Sequence, residues 1–100
     1  MIRPDADGRL RVEAPMTLEN ARPLLQAGEA ALRAALRAGE KKCVLEFSGV
    51  LRVDSSGLAV LLAWQRLCRA QGALLRLAGA PENLRSLADL YDLNPLFEWA

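Results

Sequence analysis

The chain has no histidine, only two cysteines and only five aromatic residues among its 100 positions. The lack of histidine removes the commonest general base and excludes Ser-His-Asp and Cys-His catalysis. It also removes a common zinc ligand, and no two acidic residues are placed convincingly for carboxylate acid–base work. We therefore expect a protein that is not an enzyme and that carries no metal and no cofactor.

The cysteines are Cys43 and Cys68, which lie far apart in the sequence. The first falls in a predicted strand and the second in a predicted helix. Such residues usually behave as small buried apolar side chains. We predict that both are core residues.

Long hydrophobic runs are also missing, since the longest uninterrupted one extends from Leu58 to Trp64. Crossing a bilayer takes about 20 residues. The N-terminus has an early acid, Asp5, and none of the apolar stretch of a signal peptide. With 13 Lys and Arg against 12 Asp and Glu, no general attraction to nucleic acid or anionic lipid is implied. We expect a cytoplasmic protein that meets a membrane only through a partner.

Short apolar strands alternate with helical segments along the chain. Helices are predicted from about Leu18 to Ala38, with Thr17 as N-cap, from Leu58 to Ala70, and after Pro81. Strands are predicted at Arg9–Glu13, Cys43–Phe47 and Ala73–Leu77, with edge strands near Met1–Pro4 and Pro95–Trp99. One hundred residues make one core, so residues 1–100 form a single domain of the α/β class. The pattern predicts a mixed sheet of about four to five strands with helices packed against it.

The turn before the second helix carries an unusual concentration of polar side chains. Asp54, Ser55 and Ser56 could each cap the helix, although one cap is enough, and Gly57 leaves them unshielded. A helix start also favours an anion such as a phosphate. The residues alone leave two interpretations open, simple capping and a functional role for the hydroxyls.

The second helix is apolar around more of its circumference than one sheet face can cover. A central helix that is buried on all sides would explain this. Alternatively, part of the surface is exposed beside Ser55 and binds a partner, with Trp64 as a favoured anchor. The residues of this predicted partner-binding face are Leu58, Val60, Trp64 and Leu67.

Residues 44–47 and 53–62 together resemble the STAS domain family, whose pattern is an apolar strand, a loop, Asp-Ser-(Ser/Ala/Thr)-Gly-Leu and an apolar helix. The resemblance covers roughly residues 40 to 95. Within the family the chain is most similar to the MlaB branch, because of Arg52-Val53 before the turn, Gln71-Gly72 after the helix and the closing segment Leu90–Leu93. It departs from that branch at Ser55-Ser56, a serine pair found in many anti-sigma factor antagonists.

The resemblance implies a function as well as a fold. An MlaB-like protein binds and supports the ATPase subunit of an Mla-type phospholipid ABC transporter, and Ser55 or Ser56 is then a partner contact. The alternative is an anti-sigma factor antagonist, which binds a serine kinase and is phosphorylated at Ser55. In both cases Asp54 and Gly57 shape the turn. A small-ligand or nucleotide sensor is a third possibility, but Gly39, Gly49 and Gly57 lie too far apart to form a phosphate loop.

Overall fold

The computed structural model describes residues 1–5 and 7–100, and in these residues five strands and three α-helices are present. The strands are β1 (Ile2–Pro4), β2 (Leu10–Val12), β3 (Lys42–Glu46), β4 (Leu74–Ala78) and β5 (Glu98–Trp99). The helices are α1 (Ala21–Arg37), α2 (Ser55–Ala70) and α3 (Glu82–Leu90). Short 3-10 helices occupy Leu18–Asn20 and Asn94–Leu96.

The strands form one mixed sheet in the order β1-β2-β3-β4-β5. The first two strands make an antiparallel hairpin, whereas β2 to β5 run parallel to one another. Each of the three parallel connections passes through one helix and advances by one strand. Because such crossovers are right-handed, all three helices lie on the same face of the sheet.

The core lies between the sheet and this helical layer. Cys43 and Leu45 of β3 pair in register with Leu75 and Leu77 of β4, and all four side chains are buried. The side chains that alternate with them, at positions 42, 44, 46, 74 and 76, are exposed or half-buried. Parallel strands of this kind bring their carboxyl ends to one edge of the sheet, where loops commonly form binding sites.

The predicted α/β fold with a mixed sheet is confirmed, including both edge strands. The first predicted helix divides into a 3-10 turn and α1, and Pro23 falls in the first turn of α1, where proline is tolerated. Helix α2 begins at Ser55, three residues earlier than predicted. The prediction that Thr17 caps the first helix is wrong, since its side chain accepts no capping hydrogen bond and is buried.

The two longest helices approach each other closely at Gly28 of α1. The indole ring of Trp64, from α2, occupies the space next to this glycine, and a Cβ atom at position 28 would overlap the ring. The indole N–H donates to the carbonyl oxygen of Leu25 at 3.2 Å. Trp64 therefore packs in the contact between α1 and α2.

Candidate partner-binding site at the start of the second helix

The Asp54 carboxylate organises the turn that follows β3. Its Oδ1 atom accepts from the backbone N–H of Ser56 at 2.8 Å and of Gly57 at 3.3 Å. These are two of the N–H groups that have no partner within the helix itself. Asp54 is the N-cap of α2, as the sequence predicts for one member of the polar cluster.

The second carboxylate oxygen of Asp54 serves a different element. Oδ2 accepts from the backbone N–H of Leu18 at 3.0 Å, at the first residue of the 3-10 helix that precedes α1. The backbones also pair, because the Met16 N–H donates to the Arg52 carbonyl at 2.8 Å and the Asp54 N–H donates to the Met16 carbonyl at 3.1 Å. One carboxylate thus caps two helix starts, and the first of them, at Leu18, lies 36 residues before Asp54 in the sequence.

Gly57 is buried, and its role differs from the predicted one. A Cβ atom at this position would lie 2.7 Å from the Met16 Cβ and would also overlap the Met16 carbonyl oxygen. Glycine is therefore needed because the backbone around Met16 packs directly on the first turn of α2. The interpretation that Gly57 serves to leave the serines unshielded is wrong.

The two serines occupy the first two positions of α2 and face different surroundings. Ser55 is exposed, and Ser56 is half-buried beside α1. The neighbouring N–H groups of Ser56 and Gly57 are already bonded to Asp54. A phosphate on Ser55 would consequently lie beside the Asp54 carboxylate instead of replacing it as the helix cap. Its main effect would be to add negative charge to the surface of the turn.

The predicted partner-binding face on α2 is not exposed. Leu58 and Val60 are each 3% exposed and Trp64 is fully buried, while Leu67 is half-buried. The helical layer covers these side chains because α1 packs along one side of α2 and α3 along the other. The interpretation of α2 as a central helix packed on both sides is correct, and the exposure assumed for Leu58, Val60 and Trp64 is wrong, whereas Leu67 keeps part of its surface exposed.

Two large apolar side chains at the turn are exposed instead, and neither was predicted as a site residue. Leu18 is 73% exposed and follows Thr17, while Leu51 is 84% exposed and lies three residues before Asp54. The backbone pairing of Met16 with the 52–54 segment brings their two loops side by side. Exposed apolar side chains that lie close together mark many protein interfaces. The sequence feature that could have predicted this surface is Leu51 itself, a large apolar residue in a loop between two regular elements.

The hydrogen bonds to Asp54 also change its acidity. The Leu18 N–H lowers the pKa of Asp54 below its ordinary 3.8, and the Gly57 and Ser56 N–H groups and the Arg52 charge act in the same direction, against the opposing effect of desolvation. A lowered pKa in the folded state means that the charged carboxylate stabilises the fold above about pH 3.8. This contribution is lost as the pH falls through the folded-state pKa.

We predict that Asp54→Asn lowers the free energy of unfolding at pH 7 by about 1–2 kcal/mol, the usual cost of losing a hydrogen bond to a charged group. Asn can still cap α2, but its NH2 group replaces one of the two carboxylate oxygens and cannot accept, so either the Leu18 N–H or the N–H groups at the start of α2 lose their acceptor. The measurement is urea unfolding of both proteins from pH 7 to pH 2.

The difference in the free energy of unfolding between wild type and Asp54→Asn should become smaller below about pH 3.8. Of the two side chains at position 54, only the wild-type carboxylate titrates there. The Glu46 carboxylate, whose pKa is lowered mainly by the Ser48 hydroxyl, is present in both proteins and cancels in the comparison. A difference that stays constant down to pH 2 would contradict the role assigned to Asp54.

Residues 1–5 and 7–100 also show which other chemistry the side chains support. These residues include no group of three or more side chains suited to a metal ion, and no helix among them is long and apolar enough to cross a bilayer. Cys43 and Cys68 are buried free thiols, as predicted, and burial raises the pKa of Cys68 to about 12. A thiol with such a high pKa is a poor nucleophile at neutral pH.

A one-sided helical layer on a mixed sheet, with an Asp-capped Ser-Ser-Gly turn at the carboxyl edge of the strands, defines a STAS domain. A family model described as "Mlab, STAS domain" matches residues 2–98, and the chain belongs to this family. The resemblance inferred from the residues is confirmed and extends to the N-terminal hairpin. A comparison with curated proteins found no match.

Proposed function

We propose that this chain is a non-catalytic STAS subunit that binds and supports the cytoplasmic ATPase of an Mla-type phospholipid ABC transporter. Its location is then the cytoplasm, and its association with the membrane is indirect, through the ATPase. Membership of the family described as "Mlab, STAS domain" supports this assignment. The protein itself catalyses no reaction in this proposal.

The observation that carries the proposal is the surface at the Asp54 turn. An exposed serine hydroxyl at the first position of α2 lies on a turn held by Asp54 from both sides, and Leu18 and Leu51 expose apolar surface around it. A rigid turn costs little conformational entropy on binding, and apolar side chains next to it lose contact with water. We place the ATPase on this surface, with Ser55 and Ser56 as contacts.

We predict that Ser55→Glu weakens binding of the ATPase subunit about tenfold or more while the fold stays intact. Ser55 is exposed, so the new side chain disturbs no packing, but it puts a second negative charge beside Asp54 in the contact. The measurement is the dissociation constant of the two purified subunits, together with the circular dichroism spectrum of the variant.

Ser86→Glu is the matched control, because Ser86 is an exposed helical serine on α3. It should bind the ATPase as the wild type does. Equal binding by Ser55→Glu and the wild type would remove Ser55 from the interface.

The serine pair favours a second candidate function, an anti-sigma factor antagonist that binds a serine kinase and is phosphorylated at Ser55. The exposure of the Ser55 hydroxyl supports it, since a kinase must reach the acceptor. Affinity purification of the tagged chain from its source cells separates the two functions. Recovery of an ABC ATPase with an unmodified chain supports the transporter subunit. Recovery of a small kinase, with a chain heavier by one phosphate, supports the antagonist.

A further inference from the structure

Two separate cavities between the outer surfaces of α1 and α2 make up a groove, one end of which lies near the Asp54 turn. At that end a cavity of about 540 Å³ is lined by Leu25 and Arg22 of α1 and by Ser56 and Ala59 of α2. At the other end a cavity of about 230 Å³ is lined by Arg33, Leu36 and Arg37 of α1 and by Leu67 and Gln71 of α2. Between the two cavities the buried indole ring of Trp64 packs against Gly28.

The rim of this groove is basic, although the chain as a whole is nearly neutral. Arg22, Arg33 and Arg37 line the two cavities, and Glu29 is the one acidic residue among the lining residues that the structure describes. Arg33 is 3.6 Å from the Glu29 carboxylate, which partly neutralises that acid. Within residues 1–5 and 7–100, neither Arg22 nor Arg37 has an acidic partner within 4.0 Å. Helix α2 contributes no acidic residue at all.

From these features we infer that the groove receives an amphipathic helix of the ATPase subunit that carries acidic side chains. This inference rests on the proposed function and names the partner segment. Apolar side chains of the docked helix would fill the cavities at Leu25 and Leu36, and its acidic side chains would pair with Arg22 and Arg37. Docking of an amphipathic helix in an apolar groove is a common mode of recognition, and charge complementarity orients it. Ser56 makes the groove continuous with the Asp54 turn.

The distance between the two cavities predicts the spacing of the apolar side chains on the docked helix. Leu25 and Leu36 are eleven residues apart on α1, and Val60 and Leu67 are seven residues apart on α2. At about 1.5 Å per residue, these separations correspond to about 10–16 Å along the groove. The docked helix should therefore present two apolar anchors about seven to eleven residues apart, with Asp or Glu flanking them.

The first test is the affinity of the purified ATPase subunit for Arg37→Glu. We expect binding to weaken about tenfold and to become less sensitive to salt, because the partner's acidic side chain is then repelled. Arg69→Glu is the matched control, since both arginines are exposed, lie in the last turn of their helices and have no acidic partner in the described chain, but Arg69 lines neither cavity. It should bind within about twofold of the wild type. Arg37→Gln replaces Arg37→Glu if the circular dichroism spectrum shows that the latter is unfolded.

The second test identifies the segment directly. A photo-crosslinking amino acid in place of Ala59, which is exposed and lines the larger cavity, should crosslink to the ATPase subunit in the purified complex. Mass spectrometry should place the crosslink in an acidic, amphipathic helical segment. The same amino acid in place of Ala30, exposed on α1 and outside both cavities, should give no crosslink.

The outcomes separate this inference from the proposed function. If Ser55→Glu weakens ATPase binding but Arg37→Glu and Arg69→Glu bind equally well, the groove is not the docking site and the inference is overturned while the function stands. A crosslink from position 59 to a basic or non-helical segment would likewise overturn it. If the wild-type chain binds no ABC ATPase, the proposed function and the inference fail together.

Discussion

Trp64→Ala is expected to lower the free energy of unfolding by about 3–5 kcal/mol, the usual cost of removing a large aromatic side chain from a core. Trp64 is fully buried, fills the space beside Gly28 and donates to the Leu25 carbonyl. Its loss leaves a cavity at the contact between α1 and α2. Because small domains have only about 5–15 kcal/mol of stability, partial unfolding at physiological temperature is expected. Urea unfolding followed by circular dichroism measures the change.

A double-mutant cycle with Gly28→Ala tests whether the contact between Trp64 and Gly28 is responsible for the loss of stability in Trp64→Ala. Alanine usually stabilises a helix interior by about 1 kcal/mol relative to glycine, but at position 28 its Cβ would overlap the indole ring, so the single variant should be destabilised. In the Trp64→Ala background the ring is gone, and Gly28→Ala should then be neutral or stabilising. If the free energy of unfolding of Trp64→Ala lay within about 1 kcal/mol of the wild-type value, Trp64 would not be a core residue. The exposed face predicted from the sequence would then be correct.

The second large loss of stability is expected for Gly57→Ala. We predict a loss of about 2 kcal/mol or more, because the added Cβ collides with the backbone of Met16 and not with a flexible side chain. Helix propensity alone predicts the opposite sign, a gain of about 1 kcal/mol. The displaced Met16 segment would also weaken the bond from the Leu18 N–H to Asp54, so binding of the ATPase should fall together with stability.

Gly49→Ala provides the matched control for this substitution. The nearest atoms to an added Cβ at position 49 are 3.9 Å away, which is ordinary contact, so stability should change by less than about 0.5 kcal/mol. A Gly57→Ala protein that is as stable as Gly49→Ala would show that the Met16 backbone can move away, and the rigid turn that we assign to the interface would then be wrong.

Prediction from the sequence succeeded for features that depend on residues close together in the chain. Alternating strands and helices, the position of the Asp54 turn and the Ser-Ser-Gly motif are all local patterns. The positions of α2 and β4 followed from them to within a few residues. The STAS family membership was recognised from the same residues.

Prediction failed where burial depends on which elements become neighbours. The apolar circumference of α2 is equally compatible with a buried helix and with an exposed face, and only the packing of α1 against it places Trp64 in the core. Thr17 has a suitable capping side chain, yet Asp54 from another part of the chain caps that helix start. No local pattern reports such a contact.

The sequence by itself therefore determined the class of fold, the family and the residues of the turn, because these depend on spacing, capping and chain direction over short distances. Only the tertiary structure decided which side chains surround the turn and which of them are exposed. Backbone pairing of Met16 with residues 52–54 brings the loops of the exposed Leu18 and Leu51 together at the Asp54 turn. The packing of α1 against α2 places Arg22, Arg33 and Arg37 at the two cavities between these helices. These surfaces arise from contacts between distant residues, and a side chain becomes exposed or buried only when its neighbours are in place.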